Sequence, residues 1–121
     1  MLTQKFGVIK GRAESALLAL AKEPEYKNLR PYSLRPAGVD PTHHPEIHKF
    51  MPQRTGLQKS IEGSLVAALR VVMKSMISPT RELGQVATNL ASGDGEALKG
   101  AGLEDEGRIL SNAAIRRLAG I

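Results

Sequence analysis

Apolar positions along this chain recur at helical spacing in four stretches and lose that period between Pro24 and Pro52. From Arg12 to Glu23, Ala13, Ala16, Leu17 and Leu20 share one face at i, i+3, i+4 and i+7 spacing. The spacing predicts a short amphipathic helix after a lead of residues 1–11, stopped by Pro24. The longest stripe joins Leu57, Ile61, Leu65, Leu69, Val72, Met73 and Met76, with Thr55 and Gln58 at capping-box spacing ahead of it. It predicts an organising helix from residue 55 to about residue 77. Ser78 and Pro79 then read as N-cap and first helical position of a helix ending near Ala91, with Leu83, Val86, Ala87 and Leu90 on its inner face. A last helix is expected from Leu103 or Glu104 to Ala119. Glu104, Asp105 and Glu106 suit its positive end, Arg116 and Arg117 its negative end, and Leu110, Ala114 and Leu118 its buried face.

Six of seven prolines, at positions 24, 31, 36, 41, 45 and 52, interrupt the aperiodic segment. Each fixes φ, removes a donor and biases the preceding residue to extended geometry. The expectation is a proline-rich extended arm over residues 24–54 with no helix longer than about one turn and few contacts to its own chain. The fold class is therefore mainly α: three to four short helices, a long arm and little independent core. Three regions follow, a lead and helix at 1–23, the arm at 24–54 and a helical region at 55–121.

Composition sharpens that picture. Aromatic residues are 3% of the chain, Phe6, Tyr26, Tyr32 and Phe50 alone, and aromatics contribute the largest buried area per side chain. Seventeen basic residues against twelve acidic give a formal charge of +5. The positive excess lies before residue 93, which favours an acidic partner and says nothing about fold. There is no cysteine, which excludes disulfides, thiolate metal sites and cysteine nucleophiles. No apolar run reaches the roughly 18 residues that a membrane span needs, and no recognisable secretory signal is expected in the first residues.

The candidate chemistry is sparse. His43, His44 and His48, with Asp40 and Glu46, supply ligand types, but Pro45 breaks the helical i, i+4 spacing of a paired-histidine site, so no metal is expected. Gly93-Asp94-Gly95 lacks the third glycine of a dinucleotide loop and reads as an interhelix joint. No catalytic residue and no cofactor is assigned, and the chain is read as non-enzymatic.

Protein-interface anchors are expected at Tyr26, Leu29, Tyr32, Leu34 and Phe50 in the arm, and at Leu57, Ile61, Leu65, Leu69, Val72, Met73 and Met76 on the main helix. Lys27, Arg30, Arg35 and Arg54 are candidate contacts to nucleic acid or an acidic partner. The resulting expectation is a structural subunit of a large multiprotein assembly, a virus or phage particle, present in several copies and located in the virion or an intracellular assembly. The alternative is a small basic protein of a nucleoprotein complex.

Overall fold

The computed structural model describes residues 2–51, 56, 64, 67, 68 and 71–121. It is a mixed helix and strand domain. Helix α1 spans Leu2–Leu20, α2 Thr80–Ser92 and α3 Asn112–Leu118. Short strands are β1 Ser33–Arg35, β2 Gly38–Asp40, β3 Ile77–Pro79, β4 Leu103–Glu104 and β5 Ile109–Ser111.

Two small sheets result. In one, β5 is central, with β1 parallel on one side and β4 antiparallel on the other. In the other, β2 runs parallel to β3, pairing Gly38 with Ile77 and Asp40 with Pro79. Parallel partners cannot be joined by a hairpin, so long crossovers are required. The segment from residue 41 to 76 is the crossover between β2 and β3. Its described residues include a 3-10 helix at Pro45–Phe50 and helical positions at Gly56, Ser64, Ala67, Ala68, Val71 and Val72.

Helix α3 ties the sheets together. It packs against β1, β3, β5 and α2, and its first residue, Asn112, is the hub. The Asn112 Oδ1 accepts from the Ala37 amide at 3.1 Å and from the Ser78 hydroxyl at 2.8 Å. The β1–β2 turn and the buried strand β3 are thereby fixed to one side chain. Ser111 caps α3, its Oγ accepting from the Ala114 amide. Leu110, Ala114 and Ile115 form the core, with Tyr32, Leu34, Leu83, Leu90, Leu98 and Leu103 packed around them.

Several expectations change. The segment from Pro24 to Pro52 is not an extended arm: it supplies β1 and β2, and its Pro45–Phe50 helix is six residues long. Proline forbids interior strand positions, yet Ser33–Arg35 and Gly38–Asp40 each fit between two prolines. Helix α1 runs through Gly7 and Gly11 instead of starting at Arg12. Each glycine weakens a helix by about 1 kcal/mol relative to alanine but does not end it. Ser78 is a strand residue bonded to Asn112, and Pro79 occupies the N-cap of α2.

The stretch read as the start of the last helix is a hairpin. Leu103 pairs with Leu110 across a turn at Asp105–Gly107, so the acids cap no helix and α3 begins only at Asn112. At the end of the main helix, Lys74–Met76 is a 3-10 turn and Ile77 is a buried strand residue. Leu57, Gln58, Ile61, Leu65 and Leu69, with Thr55, lie outside the described residues.

A buried-side ion pair holds α1 to the sheet. Glu14, 16% exposed, accepts from the Arg35 guanidinium and from the Ser33 hydroxyl, while Arg35 also reaches Glu104 at 2.9 Å. The hydrogen bonds from Arg35, then from Ser33, hold the Glu14 carboxyl below its ordinary value of 4.5. A lowered folded-state pKa contributes stability above the unfolded value, and that contribution disappears as pH falls through the folded value. Glu14→Gln should therefore lower stability at pH 7 by about 1 kcal/mol. In urea melts, the gap from wild type should narrow as pH falls below the ordinary carboxyl value of 4.5; a gap independent of pH would mean that the charge of Glu14 contributes nothing.

Candidate functional site

The C-terminal end of α1, the segment after it and the β4–β5 turn enclose a cleft of about 270 Å³. Lys22 comes from the turn ending α1, Lys27 and Arg30 from the proline-bounded run to Pro31, and Arg108 from the start of β5. Asp105 and Glu106 are the acids in its wall. Four cations against the two carboxylates of the wall and Glu96, which pairs with Arg30, leave a small positive excess, and low-dielectric walls such as Leu18 and Leu29 strengthen that field.

Each cation is placed by a different device. Lys22 Nζ lies 3.8 Å from the Asp105 carboxylate. Arg30 donates to Glu96 at 2.8 Å. Arg108 donates to the Gly95 carbonyl at 2.8 Å, and its guanidinium stacks 5.1 Å from the Tyr32 ring centroid. The Tyr32 hydroxyl in turn donates to the Glu96 carbonyl. Among the described residues Lys27 has no ion-pair partner, so its charge is available to a bound anion.

The floor of the cleft is strained. Asp105 and Glu106 have φ of 45° and 56°, followed by Gly107 at 86°. A left-handed backbone costs a residue with a side chain roughly 1–2 kcal/mol, and such strain concentrates at binding sites. Three left-handed residues in succession reverse the chain within the hairpin and carry Arg108 into the wall behind Tyr32.

The cations singled out in the sequence separate in space. Lys27 and Arg30 meet in this cleft, Arg35 is engaged by Glu14 and Glu104, and Arg54 lies outside the described residues. Lys22 and Arg108, which sequence reasoning passed over, complete the group. The Asp105-Glu106-Gly107 run was the available signal for Arg108, because glycine after two acids marks a tight turn as well as a helix start. Of the anchor residues, Tyr32 and Leu34 pack on the chain's own core. Tyr26, Leu29, Phe50, Val72, Met73 and Met76 are exposed.

The histidines do not gather. His48 contacts the Pro41 carbonyl at 2.9 Å and His44 lies 3.8 Å from Glu46. Among the described residues no group of three His, Asp or Glu side chains could hold a metal. Gly95 has φ 72°, with Asp94 accepting from the Glu96 amide at 2.9 Å. Among the described residues no helix is long and apolar enough to cross a membrane.

No family model and no solved structure matches the sequence. A curated protein does. Over 122 residues the chain is 36% identical to Botcinic acid biosynthesis cluster B protein 16 of Botryotinia fuckeliana (strain B05.10), covering 98% of this chain and 76% of that protein. The chain belongs to that protein's family.

Membership in the cluster B protein 16 family overturns the virion and phage reading, its location in a virion or intracellular assembly, and the nucleoprotein alternative. The physical error lay in the prolines and interleaved anchors. They mimic an arm awaiting another subunit, whereas Ser33–Arg35 pairs with β5, and Tyr32 and Leu34 fill the chain's own core.

Proposed function

We propose that this member of the cluster B protein 16 family serves a small-molecule biosynthetic pathway by binding an anionic organic acid in the Lys22–Lys27–Arg30–Arg108 cleft. The convergence of these four cations on one cavity is the observation that carries the reading. The relative's name supplies the ligand class, since it is a protein of botcinic acid biosynthesis and an organic acid is a carboxylate at neutral pH. A carboxylate accepts charge-assisted hydrogen bonds from lysine and arginine, which are roughly twice as strong as neutral ones. The role assigned is recognition, in keeping with the non-enzymatic expectation: the cleft offers fixed cations and donors.

Titration calorimetry with octanoate, and with octanol as the neutral control, tests the proposal. Octanoate should bind and octanol should bind at least tenfold more weakly. Lys27→Glu, at an exposed position, should weaken octanoate by about tenfold, or about 1.4 kcal/mol, with the fold retained by circular dichroism. Equal binding of acid and alcohol, or unchanged affinity in the variant, would contradict the assignment.

A further inference from the structure

Arg30 lines two cavities. Beyond it lies a second, open space of about 500 Å³, lined by Tyr32, Leu34, Ala87, Leu90 and Ala91 and by the Gly93–Gly95 segment. The two spaces differ in chemistry. The first is walled by four cations and two acids; the second joins an aromatic ring and aliphatic side chains to the polar groups of Asn28, Arg30 and Asp94. Their septum is fixed: Arg30 is tied to Glu96, and a Cβ at Gly95 would lie 2.6 Å from the Arg30 Cδ, so the arginine stem runs against bare backbone. Tyr32 is held on both sides of the septum, by its hydroxyl to Glu96 and by the stacked Arg108.

Size decides how these spaces are used. Sites that enclose a small organic ligand measure roughly 300 to 1,000 Å³, and the basic cleft alone falls below that range. It can hold a head group, while the second cavity can hold a body. We infer that the two cavities form one bipartite site for an amphipathic acid, the carboxylate lying among the cations and an apolar chain passing Arg30 to lie along Leu34, Ala87, Leu90 and Ala91. The inference rests on the proposed anion-binding role and adds the ligand's second half.

The test is a chain-length series, butanoate, hexanoate, octanoate and decanoate, titrated into the isotopically labelled full chain and followed by amide chemical shifts. Transfer of each methylene to an apolar wall is worth up to about fourfold in affinity, so binding should strengthen about twofold to fourfold per methylene beyond butanoate. Decanoate, unlike butanoate, should shift Leu34, Ala87, Leu90 and Ala91. Ala87→Trp, placed on the exposed side of α2, should flatten the series and leave butanoate unchanged.

Butanoate binding with no gain in longer acids, or decanoate shifts confined to the cationic cleft, overturns the bipartite site and leaves the anion cleft standing. Failure of every acid to bind overturns both. A series as steep in Ala87→Trp as in wild type also overturns the bipartite site, because the chain would then lie elsewhere.

Discussion

Gly107→Ala should unfold this protein or come close to it. Gly107 is buried at φ 86°, and a Cβ there would sit on the Leu98 carbonyl oxygen and 2.8 Å from the Leu98 amide nitrogen. Both atoms are backbone, so no side-chain rotation relieves the clash. Moving the Leu98 segment away breaks the hydrogen bond from Leu98 N to the Gly107 carbonyl, at 3.4 Å, and pulls Leu98 off the core. Backbone strain of about 1–2 kcal/mol adds to the collision. The total should exceed about 4 kcal/mol, against a typical whole-domain stability of roughly 5–15 kcal/mol. Gly120→Ala is the control: its φ is 75° with nothing within 4 Å of the added Cβ, so only strain applies. Urea melts of both variants separate collision from strain, and a Gly107→Ala loss within about 1 kcal/mol of the Gly120→Ala loss would show that the hairpin turn is not packed as described.

Leu110→Ala should cost about 3–5 kcal/mol. Leu110 is fully buried at the centre of β5, between β1 and β4 and under Ala114 and Ile115. The cluster around it draws on two strands and two helices, which limits how far the cavity can collapse. Leu118, placed on the same buried face by sequence periodicity, is 41% exposed at the end of α3. Leu118→Ala should cost less than about 1 kcal/mol. Thermal melts that rank these two leucines equally would restore the single long helix in which both were expected to be core.

The contrast between those leucines shows what periodicity could reach. Helix α2 was legible almost to the residue, because Leu83, Val86 and Leu90 hold a sustained period and Gly93 follows. The strands were not. Each has two or three residues, too few to display alternation, and β1 and β2 pair with partners far along the sequence. Acids followed by arginines mimic a helix with matched dipole charges, and Gly107 was the competing signal: a buried left-handed glycine belongs to a turn.

The site was legible in part for the same reason. Lys27 and Arg30 are visible as cations among apolar residues. Their grouping with Lys22 and Arg108 depends on α1 ending beside the hairpin turn, a relation between elements that no local pattern encodes. Arg35 looked equivalent to Arg30 in sequence, and it is neutralised by Glu14 and Glu104. Arg30 is itself paired with Glu96 and Lys22 with Asp105, so among the described residues Lys27 and Arg108 are the cleft cations without a carboxylate partner.

A crystal structure of the full chain with octanoate tests the anion cleft most directly. The carboxylate should lie within ion-pair distance of at least two of Lys22, Lys27, Arg30 and Arg108, above the Asp105–Gly107 turn. Octanoate bound elsewhere, or an empty cleft at a concentration that saturates binding in solution, would contradict the account.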